Sequence, residues 1–290
     1  MEPILVTGAA GGTQGSTGRR VVEALRHADR PVRAFVRADD DRAAALRALG
    51  AEVAVGDLRE ITTVLPAAHG VRRAYFTYPV TAGMLDATAA FAAAAHREQL
   101  ERVVAVSQLG SDPQAGTPHM RRHWVAEQVL DRAEIGAVHL RAAVFFENLR
   151  VVVEHSGALA LPLGSPDTVL PLIAAEDVAR VGTGLLSSPD KADPVYWLTG
   201  DVLTAGEAAA AFGVRYIDVD PREWERTAAA LYRDEVVVEH LSHLWRMFAA
   251  IGSGHQLYRV TEAIADIGGR PPLTLREYRA RHRLAGGPEA

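Results

Sequence analysis

Short runs of Val, Ile and Leu alternate with stretches whose Ala, Leu, Arg and Glu recur at helical spacing, and this rhythm limits the folds open to the chain. The strand candidates are 4–7, 32–36, 52–55, 74–77, 103–107 and 138–144. The helical stretches between them are 19–27, 42–49, 62–69, 84–100 and 120–132. The strand runs show little polar alternation, as strands covered on both faces do. Six such alternations predict an α/β fold: a doubly wound parallel sheet with right-handed crossovers. Ligands of such sheets bind at the C-terminal edge of the strands.

After Val144 the rhythm breaks. A helical stretch at 146–155 gives way to a Gly/Pro loop at 161–166. A strand pattern at 169–173, a helix from Ala175 and a further strand pattern at 195–198 follow. Residues 222–251 read as one helical stretch. The expected organisation is a dinucleotide-binding Rossmann domain over 1–150, with 168–200 returning to it. A smaller, mostly helical substrate-binding region is expected over 151–167 and 201–290.

The first strand–helix junction carries Gly8, Gly11, Gly12, Gly15 and Gly18, with Thr13 and Gln14 between them. Glycine serves three needs there: a tight turn, close approach of backbone to a pyrophosphate, and close packing of helix on strand. The helix that follows presents free N–H groups and a positive dipole to an anion. A glycine string alone is a weak signal. Its position after the first strand and before a helix makes it a dinucleotide loop.

Composition removes several function classes. The 290 residues are 48% hydrophobic and 23% charged, so the chain can bury a sizeable core. No cysteine is present, which excludes disulfides, zinc–thiolate sites, iron–sulfur clusters and cysteine nucleophiles. The net charge of −5 disfavours a nucleic-acid partner bound through a broad basic surface. No apolar tract is long enough to span a bilayer, so no membrane partner is expected. The sequence reads as cytoplasmic, either monomer or homodimer.

Around the glycine loop the residues resemble the NmrA-like group of atypical short-chain dehydrogenases/reductases. Thr7-Gly8-Ala9-Ala10-Gly11 followed by Gln14-Gly15 is similar to the family's loop, though one residue longer. Val55-Gly56-Asp57-Leu58 resembles its G-D-L after the third strand. Leu140-Arg141 through Phe145-Phe146-Glu147-Asn148-Leu149 resembles its L-R-P-x-x-F-x-E-N-L, with Ala where Pro is usual. Glu176-Asp177-Val178-Ala179 and Thr274-Leu275-Arg276-Glu277-Tyr278 extend the likeness over nearly the whole chain. The resemblance implies that Asp57 and Leu58 sit near the adenine. It implies too that Thr77, Tyr78 and Pro79 line the nicotinamide ribose.

The second strand ends in Arg37, which favours NADP by a charge-assisted contact to the 2′-phosphate. Asp39, Asp40 and Asp41 follow, and one of them turned inward would suit NAD instead. Many short-chain reductases use Ser with Tyr-x-x-x-Lys. Ser107 stands at the serine position, but the only lysine is Lys191 in a loop. Where the pair belongs stand His119 and His123, at a spacing that puts both imidazoles on one helix face. In one reading His123 or His119 donates the proton, with a pKa suited to neutral pH. In the other the triad is lost, and Glu127, four residues after His123, pairs with it. Tyr78 is a third donor candidate. His240 and His243 show no strong third metal ligand, so no metal is expected, and their helix reads as one lining a substrate cleft.

The expected activity is NADPH-dependent reduction of a small aromatic carbonyl or quinone. The alternative is a non-catalytic NAD(P)-sensing regulator. The aromatic residues of the last third favour a substrate pocket.

Overall fold

The computed structural model describes residues 2–12 and 15–282. The first half runs β1 (Ile4–Val6), α1 (Thr17–His27), β2 (Val32–Val36), α2 (Asp41–Ala48), β3 (Glu52–Val55) and α3 (Ile61–Ala68). It continues through β4 (Arg73–Phe76), α4 (Met84–Arg97), β5 (Arg102–Gln108), α5 (Pro118–Arg132) and β6 (Ala137–Ala142). The second half starts with β7 (Val144–Phe145), α6 (Phe146–Ser156), β8 (Leu159–Leu161), β9 (Val169–Ile173), α7 (Ala175–Ser187) and β10 (Val195–Leu198). It ends with β11 (Asp201–Thr204), α8 (Ala205–Phe212), β12 (Tyr216–Asp218), α9 (Pro221–Tyr232), α10 (Glu235–Ala250), α11 (Ala263–Gly268) and α12 (Leu275–Arg281).

Seven strands form one parallel sheet in the order β10-β6-β5-β4-β1-β2-β3. The order reverses between β1 and β4, which opens a crevice at their C-terminal ends. The period of two along β1 decides the layers. Ile4 and Val6 pack with Val21, Val22 and Leu25 of α1 and Val178 and Val181 of α7. Leu5 faces the opposite layer, with Val64 of α3 and Phe91 of α4. The strand at 195–198 thus joins the main sheet as β10, beside β6. The run at 169–173 does not: β9 pairs with β11 and β7 in a separate three-stranded sheet.

Three elements differ from the sequence pattern, each for a local reason. The run at 138–144 divides because Ala143 donates its N–H to Leu198, after which Val144 turns to the second sheet. β3 is an edge strand, so Val55 is exposed rather than covered. The stretch at 222–251 breaks into α9 and α10 because Arg233 adopts a left-handed φ of 52° and Asp234 caps the next helix through Val236 N–H. A second core, built on Leu149, Leu161, Leu172, Phe212, Trp224 and Trp245, holds α6, α8, α9 and α10 together. Among the described residues no helix is long and apolar enough to cross a membrane.

Candidate active site

A cleft of about 450 Å³ runs along the C-terminal edge of the main sheet, from Arg37 and Arg42 past the glycine loop to α5 and α10. Its first stretch is shaped by close backbone approaches. Gly15 has φ +92°, and a Cβ there would stand 2.7 Å from Phe145. A Cβ on Gly18 would stand 2.4 Å from the Thr7 carbonyl oxygen, so only glycine lets α1 pack this tightly on β1. Ser16 does not cap α1 with its side chain. Its hydroxyl instead donates to Gly12 O at 2.7 Å and accepts from Gly12 N–H at 3.0 Å, closing the loop on itself. The α1 N-terminus therefore keeps its first N–H groups for an anion. Thr7 Oγ1 donates to Thr77 O at 2.9 Å and accepts from Thr77 N–H at 2.8 Å, locking the ends of β1 and β4 together. Gly8, Gly11, Gly12, Asp57, Leu58, Thr77, Tyr78 and Pro79 all line this trough. Thr13 and Gln14 lie outside the described residues. The Gly15 and Gly18 approaches and the open helix terminus fit a dinucleotide pyrophosphate.

At the outer end two of the three acids following Arg37 are engaged elsewhere, and Asp41 opens α2. Asp39 binds Arg47 at 2.7 Å, and Asp40 binds Arg42 at 2.6 Å while capping α2 through the Arg42 and Ala43 N–H groups. Those partners hold both carboxyls below the usual carboxylate range. Asp57 pairs with Arg59 at 2.6 Å, which brings its carboxyl down to about 2. Arg37 is exposed, lines the cleft and makes no ion pair with a described residue within 4.0 Å. Arg42 is a second cation at the same end. Its signal was present in the sequence, as a basic residue opening the helix after Arg37.

The inner end gathers Ser107, Gln108, His119, His123 and His240. The structure corrects one expected pairing: Glu127 does not bind His123. Its carboxylate takes a two-pronged contact from Arg141, at 3.0 and 2.6 Å, and accepts the Ser107 hydroxyl at 2.5 Å. These residues come from β5, α5 and β6, and a local spacing rule does not join them. Ser107 thus turns its hydroxyl hydrogen toward Glu127, and Ser111 Oγ lies 3.1 Å away. Tyr78 donates its hydroxyl to Ala82 O at 3.0 Å, and burial pushes its pKa up.

His119 and His123 do share a face of α5, with ring centroids 4.8 Å apart. His240 of α10 meets His119 from across the cleft at 4.9 Å. Burial, with the nearby Arg122 adding to it, brings His119 down to about 4. Burial and then the neighbouring histidines hold His123 well below its ordinary value, and His240 is lowered likewise. All three imidazoles are therefore neutral at neutral pH, which moves the charged-acid regime expected for His123 to lower pH. No group of His, Asp or Glu among the described residues is arranged to hold a metal ion. His243 points away, its Nδ1 2.8 Å from Glu239 O. Val237, Leu241 and Leu244 of α10, with Val144, Phe145 and Tyr232, make the remaining walls apolar. Trp245 is not among them: it packs on Trp224 in the second core.

Residues 12–150 match the family model described as NAD(P)H-binding. Over 289 residues the chain is 27% identical to the NAD(P)H azoreductase of Xenophilus azovorans, covering 96% of this chain and 98% of that protein. The NADPH complex of the quinone oxidoreductase QOR2 from Escherichia coli superimposes with a TM-score of 0.80 at 20% identity, covering 96% of this chain and 99% of that one. NmrA, a negative transcriptional regulator solved with NAD, gives 0.75 at 18% identity, covering 98% and 95%. The chain thus has the Rossmann-like α/β fold of these solved structures, and its match to the NAD(P)H-binding family model lies in residues 12–150.

Proposed function

We propose that the protein is an NADPH-dependent reductase of small aromatic carbonyl compounds, with quinones as the better substrates. The neutral inner end of the cleft carries this reading. A simple ketone leaves an alkoxide that needs an acid as it forms. Ser107 donates its hydroxyl hydrogen bond to Glu127, Tyr78 is turned to Ala82, and the three histidines are neutral. A reduced quinone has far less basic oxygens and takes its protons from water or a neutral donor.

The dihydronicotinamide, when bound, supplies the hydride. The Gly8–Gly18 loop and the α1 N-terminus hold the pyrophosphate. Arg37 and Arg42 meet the 2′-phosphate, and Asp57 and Leu58 flank the adenine. Thr77, Tyr78 and Pro79 border the nicotinamide ribose. The apolar face of α10 excludes water and orients a flat ring, in a substrate-binding region built from 151–167 and 201–290. His123 is the proposed proton relay at the substrate oxygen, with His119 beside it and Ser107 fixing the wall behind. The full-length similarity to an azoreductase and the apolar space beyond the dinucleotide trough support a reductase over a sensing regulator.

NADPH oxidation measured with naphthoquinone and with acetophenone tests the proposal. Turnover is expected with the quinone and little with the ketone. Absence of quinone-dependent NADPH oxidation overturns it.

A further inference from the structure

At the inner end of the cleft several buried polar atoms have hydrogen-bonding capacity that the protein leaves unused. Gln108 Nε2 lies 3.1 Å from His240 Nε2. Gln108 Oε1, His240 Nδ1 and both ring nitrogens of His119 are buried with no partner. His119 is 1% exposed and His240 5%, and both line the cleft with Gln108. A buried polar atom without a partner has lost its water and gained nothing in return, so four together are a feature that a ligand would relieve.

The balance of this set is independent of how the Gln108 amide is turned. If the amide N–H donates to His240 Nε2, the imidazole proton sits on Nδ1. An N–H donor and the Oε1 acceptor are then left over. With the amide reversed, its oxygen accepts from Nε2–H, and the amide N–H and Nδ1 are left over. Either arrangement leaves a donor and an acceptor. Neutral His119 adds another of each. The cations of the cleft, Arg37 and Arg42, stand at its opposite end.

We propose that His119, His240 and Gln108 form a specificity site for a phenolic ring hydroxyl, so that the preferred substrate is a neutral hydroxylated aromatic, under the reading above a quinone with a hydroxyl on its fused aromatic ring. A hydroxyl both gives and takes a hydrogen bond, and so uses both halves of the set. A bare carbonyl engages the donors and leaves the acceptors dry. Arg122, near His119, pairs with Glu239 at 3.8 Å and does not line the cleft, so a carboxylate or sulfonate meets no cation in this wall and anionic rings are disfavoured.

The proposal rests on the quinone-reductase reading for the identity of the substrate, but its test does not require turnover. Beta-naphthol and its methyl ether are titrated calorimetrically into the protein saturated with NADP+. The ether keeps the ring and the acceptor and lacks the donor. Beta-naphthol is expected to bind about tenfold tighter, the worth of one hydrogen bond. The preference is expected to vanish in His119→Phe, which keeps a flat ring in place, and to shrink in Gln108→Leu; the two variants guard against a folding failure in either. Equal affinity of the two ligands for the wild type overturns the proposal, as does a preference that survives in both variants. If naphthoquinone fails to oxidise NADPH while the naphthol preference holds, the reductase reading falls and the hydroxyl site stands. Turnover without the preference has the opposite meaning.

Discussion

Arg37 stands at the outer end of the cleft with Asp39 and Asp40 bound to other partners, and it makes no ion pair with a described residue within 4.0 Å. Arg37→Ala is expected to weaken NADPH binding by about 1–3 kcal/mol while leaving NADH nearly unchanged, as read by calorimetry. Equal losses for both cofactors would remove the 2′-phosphate from its role. At the other end, His119 is neutral because it is buried, and this couples the fold to pH. Its pKa lies near 4 in the folded protein against about 6.5 when unfolded. The unfolded chain therefore binds the proton first. Stability is fully present above about pH 6.5 and falls as the pH drops toward 4, by about 3 kcal/mol for this group. Urea melts at a series of pH values are expected to show that decline, and His119→Phe to reduce it, His123 and His240 keeping their own share. Glu127 is a third case. It is 3% exposed and is the partner of both Arg141 and Ser107. Glu127→Gln leaves the guanidinium short of its counter-charge, and a loss of about 3–5 kcal/mol in unfolding free energy is expected.

The glycine loop with α1 is the element whose role is most exposed in the sequence, because its requirement is local. Gly15 and Gly18 sit where a side chain would strike Phe145 or the Thr7 carbonyl. Gly15→Val is expected to abolish dinucleotide binding in a titration while circular dichroism shows the sheet retained. The alternation of apolar runs and helical stretches likewise announced β1 to β6, because each strand's character lies within a few residues. What was not legible depends on contacts between distant residues. Ser107 and Glu127 are twenty positions apart, and Gln108 and His240 are 132 apart. An i, i+4 spacing makes a Glu127–His123 pair one visible reading of the sequence, whereas the Arg141 partner on an adjacent strand is not visible there. The break between α9 and α10 escaped for a related reason: Arg233 carries a positive φ without the glycine that usually marks one.

In the whole molecule, the parallel sheet carries the dinucleotide trough, and the α9–α10 hairpin, anchored on a separate core, roofs the inner cleft. Thr81 Oγ1 donates to Asp234 Oδ2 at 2.6 Å, tying the loop after β4 to the turn of that hairpin. Heat inactivation is therefore expected to be a local event, with the roof opening at a lower free energy than the sheet beneath it. On warming, the proposed quinone reduction is expected to be lost several degrees before the circular dichroism of the sheet changes, with NADP+ still bound. Removing the tie with Thr81→Val is expected to widen that interval by lowering the first transition alone. A protein built this way loses its chemistry and keeps its cofactor, and on cooling it needs only to close its roof, not to refold.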